Sequence, residues 1–594
     1  MSAPFLPRPA RTAGRVFAWL LIAAVIALVA VAAWVGVRGA LAYDHLRTAQ
    51  QSAGDIAGQL DDIGAAASAI NDLAAHTATA RELTSDPIWT TVEGAPWVGP
   101  QLHAVARVAE AIDIVVTDAA APIAAVAGGF GTEAFRPVEG RIDTAVFTSL
   151  EQPAWRAAEA AAAARQDIAD LDRNGLMGVI ADAVAEVDTL LDQAATVTDA
   201  LARTSSLLPA LLGADGPREH LLLVQNNAEW RSLGGIVGAT AVIRTDNGSI
   251  RLIGQRPGSQ YKQYSPADPP VADLADYESI YQTKPGRFMM NVTQVPDFAV
   301  TASLAREFAA REGNAVRSAV AIDPVALSYL LDATGPVLLP TGDELTSANA
   351  VDLLLNEVYF RYTEPARQDA FFAAAADAIF QSLTDGAVDP TKLIMALTRA
   401  GEERRLHLWS ADETEQSILA ETSLASALPP NDHETARWGV YFNDGTGSKM
   451  DFYVTPEVSL THNDCATGIR TREVTLDITL TSNAPADADS LPWYITGGGV
   501  YGVEPGVART VGDVYLPAGF EVVTFHTATG RSVGGGLVGD RQVLSYVLDL
   551  EPGESGSVTV TARAVTDVTA AEAWVTPTAD ASLSPTVRAD CSEN

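Results

Sequence analysis

Val16 to Val37 runs for 22 residues without a single charge, VFAWLLIAAVIALVAVAAWVGV. As a helix it is about 33 Å long, enough to cross a hydrocarbon layer of ~30 Å. Trp19 and Trp34 lie near its two ends, where indoles favour the membrane interface. Arg8, Arg11 and Arg15 precede it with no acid among them, whereas Arg38 and Arg47 on the far side are mixed with Asp44, Asp55, Asp61 and Asp62. The positive-inside rule then makes residues 1–15 a cytoplasmic tail and 16–37 a transmembrane helix, with the bulk of the chain extracytoplasmic. A cleaved signal peptide is the alternative, and Ala-Leu-Ala at 40–42 would suit cleavage. The apolar core exceeds the ~7–15 residues usual for such a peptide, which favours a retained anchor in the cell membrane. No other stretch reaches 18 uninterrupted apolar residues, so a single span is expected.

With the span placed, the charge acquires a location. The chain carries 74 acidic and 39 basic residues, a net charge of −35, and almost all of it falls after residue 37. Phosphate backbones would be repelled, and no basic stripe offsets this, so no nucleic-acid partner is expected. An apolar content of 47 % excludes a disordered polyacid. Two cysteines, Cys465 and Cys591, are too few for a disulfide-dense scaffold, but outside the cytoplasm they are a disulfide candidate; two unpaired thiols are the alternative.

The pattern along the chain predicts a multidomain α+β protein. Residues 38–212 are Ala-rich with helical periodicity and read as a stalk or bundle. Pro122 is expected to break or kink one of its helices, and Asn174-Gly175 to separate two others. From Pro217 the pattern changes. Leu221 to Val224 is a short buried strand followed by a polar loop, and Asp246-Asn247-Gly248 joins two strands as a hairpin. Helices are expected around 299–311, 324–332, 347–359 and 365–384, which makes 217–425 a central α/β domain. From residue 439 to 594 the period becomes two. Strands over 474–480, 507–515, 521–525, 542–548 and 557–563 predict a C-terminal antiparallel β-sandwich.

Several motifs resemble a mainly actinobacterial family of membrane-anchored proteins called domain of unknown function four-zero-one-two. They are Asp86-Pro87-Ile88-Trp89, Pro96-Trp97-Val98-Gly99-Pro100, Asn226-Asn227-Ala228-Glu229-Trp230-Arg231, Asn291-Val292-Thr293, Ile322-Asp323-Pro324, Gly439 to Asp444, Leu491-Pro492-Trp493-Tyr494 and Gly497 to Gly499. The family name records no activity. The order of elements in 217–385 also resembles the LytR-CpsA-Psr family. Its members transfer glycopolymers from polyprenyl-pyrophosphate lipid to peptidoglycan, with arginines on the pyrophosphate and a Mg²⁺-binding acid. Arg231, the run from Ala319 to Val337, and Tyr359-Phe360-Arg361-Tyr362 with Arg367-Gln368 carry that likeness. Ser232-Leu233 stands where that family has a Ser-Asp-Thr step, and Pro336 replaces a glycine, so the acid that would hold Mg²⁺ has no counterpart here.

The chemistry-bearing residues cluster at few places. Arg231, Arg361 and Arg367 are candidates for pyrophosphate or another anion, because guanidinium forks donate paired hydrogen bonds. Gly234 and Gly235 could let backbone N–H groups approach the same ligand. The alternative is a structural Glu229–Arg231 ion pair beside a hairpin turn. Asn226, Asn227 and Glu229 form a further polar patch. The eight histidines are scattered with no H-x-x-x-H, so no metal centre is expected, and no cofactor beyond Mg²⁺ in the phosphotransferase alternative. Tyr261, Tyr264, Tyr277 and Tyr281 read either as loop packing or as a sugar-stacking platform. Together these features lead to a single-span envelope protein that binds or positions cell-surface glycopolymer or its assembly machinery. A divergent glycopolymer phosphotransferase and a non-catalytic, adhesin-like structural protein are the alternatives.

Overall fold

The computed structural model of the chain describes residues 8–57, 63–130, 140–265, 272–384, 388–431, 435–462, 471–528, 530–568 and 570–589. It is a mixed α and β protein of two compact units. One comprises Met1–Phe135 and Asp143–Ala210; the other comprises Arg136–Ile142 and Leu211–Asn594. Cys465 and Cys591, the disulfide candidate, lie outside the described residues.

The first unit is helical. Helix α1 (Arg8–Ala57) contains the uncharged stretch, none of whose described side chains is buried within the chain. Beyond Arg38 the same helix acquires a buried face. Ala42 meets Ala80 of α2 (Ile63–Thr84) and Ala109, and Ala49 meets Leu73 and Val116. Small side chains at these points let the helix axes approach closely. A short helix α3 (Pro87–Val92), capped by Asp86, leads to α4 (Gly99–Ile114). Of the break or kink expected at Pro122, the break does not occur: α4 passes through a wide turn, Val115–Ala120, directly into α5 (Ala121–Phe130). In that turn the Ala121 N–H reaches back five residues to the Val116 carbonyl, a register change that keeps the chain helical where proline supplies no N–H. Helices α6 (Thr144–Ala169) and α7 (Gly178–Leu211) flank the turn at Asn174-Gly175, as the sequence predicts. Ala104 and Val108 pack with Ile168, Val184 and Leu191 at their junction.

The second unit contains three five-stranded sheets. In the first, the order is β3–β2–β1–β4–β7, built from β1 (Arg218–Arg231), β2 (Gly234–Asp246), β3 (Ser249–Pro257), β4 (Ser318–Ile322) and β7 (Leu406–Ser410). Two-residue strands β5 (Val337–Leu338) and β6 (Glu344–Leu345) pair separately. Strands β1 and β4 run parallel, and the remaining neighbours are antiparallel. Asn247 and Gly248, both with positive φ, close the expected two-residue β2–β3 hairpin. Asp323 caps the helix Pro324–Thr334 with proline in its first turn.

The other two sheets lie face to face, in the orders β12–β15–β10–β9–β17 and β13–β14–β11–β8–β16. Their strands are β8 (Thr435–Asp444), β9 (Val454–His462), β10 (Thr471–Ser482), β11 (Ala508–Tyr515), β12 (Phe520–Thr527), β13 (Arg531–Val538), β14 (Arg541–Leu550), β15 (Ser555–Val568), β16 (Ala570–Val575) and β17 (Thr586–Ala589). The expectation of purely antiparallel sheets needs correction. After β15 the chain returns to add β16 parallel to β8 and β17 parallel to β9, so each sheet is mixed. A period of two fixes which face is buried and says nothing about strand direction.

The sheet containing β8, β11 and β14 is covered on both sides. One face meets the other sheet through Trp438, Phe442, Leu548 and Val560. The opposite face, with Tyr441, Tyr515 and Val543, packs on Tyr277, Tyr281 and Phe298. Tyr261, Tyr277 and Tyr281 are therefore buried packing residues. Trp230 at the end of β1 stacks near Phe442, with ring centres 5.3 Å apart.

Candidate functional site

Strand β1 is longer than the sequence suggests. Asn226 to Arg231, expected in a polar loop, remain in the strand. The strand is irregular there: Asn226 faces Ile236 and Trp230 faces Gly235, so Asn227, Ala228 and Glu229 bulge from the ladder with β2. Their polar groups are satisfied by distant parts of the chain, which is why a polar run can stay in a buried strand.

Glu229 is the centre of the arrangement. One carboxylate oxygen accepts from Arg231 at 2.9 Å, and the other accepts from Lys449, in the connection between β8 and β9. All three side chains are buried. Burial alone would raise the Glu229 pKa, but the charges of Lys449 and Arg231 outweigh it and hold the carboxyl below its ordinary value. The Lys449 ammonium is correspondingly stabilised despite its burial. It lies 6.0 Å from the centre of the Tyr359 ring and 5.4 Å from that of Tyr494. The two rings stack at 5.3 Å, and Asn226 donates to the Tyr359 hydroxyl at 2.6 Å. Burial pushes that hydroxyl up to about 12.

Two further carboxyls complete the knot. Asp451 accepts from the Trp230 N–H at 2.8 Å, while its other oxygen is buried without a partner. Burial, followed by the nearby Asp444 charge, holds Asp451 well above the ordinary carboxyl range. Asp444 is raised to about 6 by burial and by Glu229. It accepts from the Thr446 and Gly447 N–H groups, which folds the connection back on itself. Among the described residues no three His, Cys, Asp or Glu side chains are grouped to hold a metal ion.

The other candidates are distributed around this knot. Arg231 spends its fork internally, donating to Trp230 O at 2.7 Å and to Asn291 at 3.0 and 3.2 Å besides Glu229. Arg361 is part-exposed and bridges Asp343 at 2.6 Å and Glu357 at 2.7 Å. Arg367 is exposed and pairs with Glu364 at 2.8 Å. Gly234 and Gly235 close the β1–β2 turn at Ser232-Leu233. A Cβ on Gly235 would sit 2.3 Å from the Asn226 backbone, and its N–H is donated to Gln225 at 2.8 Å. Asn227 joins a second buried network, donating to Asp323 at 3.0 Å and to Pro577 O at 3.1 Å; Arg405 donates to the same Asp323 oxygen at 2.8 Å and to Thr578 O at 2.7 Å.

Sequence reasoning missed Lys449, Asp444, Asp451 and Arg405. Lys449 is one of only four lysines (with Lys262, Lys284 and Lys392), and that rarity was the one available clue. It also missed the surface above the knot. Trp493 and Tyr501 are each exposed by more than 60 %, with Val500 beside them, around Gly497, Gly498 and Gly499. These glycines all have positive φ, and a Cβ on Gly498 would strike the Trp493 indole at 1.9 Å. The turn thus lets the indole approach its backbone closely. Tyr501 covers Gly447 in the same way, so the aromatic patch rests on the loop that carries Lys449.

Residues 215–359 match the model of a family described as "Protein of unknown function (DUF4012)". No curated protein and no solved structure matches the chain. The matched segment contains Asn226, Glu229, Arg231 and Tyr359 of the knot, whereas Asp444, Lys449 and Asp451 come from the chain beyond it.

Proposed function

We propose, for a chain whose residues 215–359 match the DUF4012 family model, a membrane-anchored, outward-facing envelope protein that binds or positions cell-surface glycopolymer or its assembly machinery. The observation that carries the anchor is α1, whose apolar window is entirely uncovered by protein and continues without a break into the helical unit. A helix of that length and hydropathy stays out of water only in a bilayer. The acid-free arginines before it support the outward orientation.

The aromatic patch of Trp493 and Tyr501 supports carbohydrate as the ligand class. Flat, exposed rings offer apolar area to the C–H face of a sugar while their edges remain hydrated. The internal engagement of Arg231 supports binding over phosphoryl transfer, because a buried guanidinium with four of its five N–H groups spent on the protein cannot offer a paired fork to a pyrophosphate.

The test is co-sedimentation of the detergent-solubilised full chain with isolated cell walls. Walls carrying their glycopolymer should retain the protein, and walls stripped of it should not. The Trp493→Ala/Tyr501→Ala double variant should lose about tenfold in affinity, the size expected for removing two anchoring rings. Equal retention on stripped walls, or no loss in the double variant, overturns the glycopolymer reading. An alkaline phosphatase fused after Asn594 reports the orientation separately, being active only outside the cytoplasm.

A further inference from the structure

A second feature of the helical unit concerns the bilayer itself. Trp34 and Arg38, at the outer end of the uncharged stretch, are both tied to the start of α3. The Trp34 indole N–H donates to Asp86 at 3.3 Å, and Arg38 meets the other Asp86 oxygen at 3.0 Å. Arg38 also donates to the carbonyls of Glu82 and Leu83 at 2.8 and 3.0 Å. Trp89 of α3 is buried beside Gly39 and donates to Leu102 O at 3.3 Å. Helix α3 is thereby held at the level of residues 34–39, where the apolar stretch ends and the headgroup layer begins.

The segment after α3 makes an unusual turn. The Val98 N–H donates to Pro96 O at 2.9 Å across Trp97, whose φ is +69°. A three-residue turn with positive φ at its centre is strained for any residue with a Cβ, and a bulky aromatic there is an outlier. The strain brings no packing: Trp97 is 90 % exposed, and Val98 and Ile88 are also exposed. A strained, uncovered indole beside a transmembrane end needs a partner outside the protein.

We propose that Trp97, with Ile88 and Val98, forms a second membrane contact that inserts into the outer interface of the bilayer crossed by α1. The contact rests on the anchor reading above. Its chemistry is that of interfacial tryptophan: an apolar ring among acyl-chain ends with its N–H in the hydrated headgroup layer. With the Asp86–Arg38 tie, it would fix the helical unit at two points on the membrane surface, where a single helix leaves it free to pivot.

The full chain in phosphatidylcholine/phosphatidylglycerol nanodiscs tests this, with and without brominated acyl chains. The chain has ten tryptophans, so the readout is the emission difference between wild type and Trp97→Phe. The expected result is a blue-shifted difference spectrum, quenched at least about twofold by brominated lipid and little affected by aqueous acrylamide, as for an indole at the interface. Quenching by acrylamide with no response to bromolipid places Trp97 in water and overturns the proposal. Protection from both quenchers assigns Trp97 to a protein partner and also overturns it. The wild-type minus Trp34→Phe difference separates the two readings: bromolipid quenching of Trp34 without Trp97 refutes the second contact alone, whereas no quenching of either refutes the anchor.

Discussion

In the helical unit the buried contacts are divided among separate clusters, several of them built on alanine. Ala42, Ala80 and Ala109 meet at one point, and Ala154, Ala158 and Ala202 at another. Its ion pairs, such as Arg165–Asp192 and Arg173–Asp188, are largely on the surface. The unit of residues 211–594 is built the other way. Trp230, Trp438 and Phe442 are fully buried in one continuous core, and charged knots around Glu229 and Asp323 lie between the segments that form it. A fully buried large side chain contributes about 1.5–3 kcal/mol, whereas an exposed ion pair contributes ~0–1 kcal/mol. Stability is therefore concentrated in the second unit, and a single substitution there has most to lose. The helical unit distributes its stability over many weak contacts, each dispensable.

The largest effect is expected at Lys449. Lys449→Met keeps the length of the side chain but strands the buried Glu229 with one cation fewer. Breaking a buried pair from one side costs about 3–5 kcal/mol. Calorimetry of the full chain should show the transition of residues 211–594 shifted well down in temperature with the helical transition unmoved. A shift of both transitions by equal amounts would mean that the two units unfold as one and would erase the contrast.

Acidity should separate the units next. Burial raises the Asp513 carboxyl to about 7, despite hydrogen bonds from Ser545 and Tyr281. An unfolded aspartate titrates near ~3.9. The folded state thus binds this proton more tightly, and the resulting stability is present at low pH and lost as pH rises through about 7. The slope is at most about 1.4 kcal/mol per pH unit. Buried His220 and His407, both lowered to about 4, oppose it below their unfolded value of ~6.5, because acid must charge them on unfolding. Comparing wild type with Asp513→Asn cancels the histidines. The variant should be the less pH-sensitive between about pH 4 and 7, where the folded carboxyl holds its proton and the unfolded one does not, and identical profiles would show that the Asp513 carboxyl is not raised in the fold.

The smaller contacts test the other side of the contrast. Arg81 joins the buried Asp113 at 3.1 Å and Glu110 at 3.2 Å, but is itself part-exposed. Asp113 keeps a hydrogen bond from Thr77 at 3.0 Å when Arg81 is removed. Arg81→Ala should cost about 1 kcal/mol, visible in the helical transition alone. A loss comparable to that of Lys449→Met would show that this unit too depends on a single ionic contact.

How much of this was legible from sequence follows the range of the contacts involved. The helices of the first unit, the Asn247-Gly248 hairpin and the Asp323-Pro324 cap are set by neighbours in the chain, and their residue patterns announce them. Strand β13 is not among the expected strands, because Gly534, Gly535 and Gly536 carry no side chains to show an alternation of two. The glycines allow close approach instead, since a Cβ on Gly536 would sit 2.7 Å from Ser279. Glu229 and Arg231 are visible as a pair of opposite charges two residues apart. Their partner Lys449 is 220 residues further on, and no local pattern links it to them. The same limit explains why Asn226 to Arg231 resembled a loop: their burial depends on groups the local sequence does not contain.

The smallest effect is expected at the two arginines that sequence singled out with Arg231. Arg367 pairs with Glu364 across three residues, with both side chains mostly in water. Arg367→Ala should change stability by no more than ~0.5 kcal/mol. Arg361 is tied to two acids, Asp343 and Glu357, yet more than a third of it is exposed, so solvent screens both pairs and Arg361→Ala should cost under ~1 kcal/mol. Neither substitution touches the Trp493–Tyr501 patch, so wall co-sedimentation should be unchanged in both. A marked loss of wall binding in either variant, with melting unaltered, would move the ligand from the aromatic patch to these surface arginines and restore an anionic group as what the protein recognises.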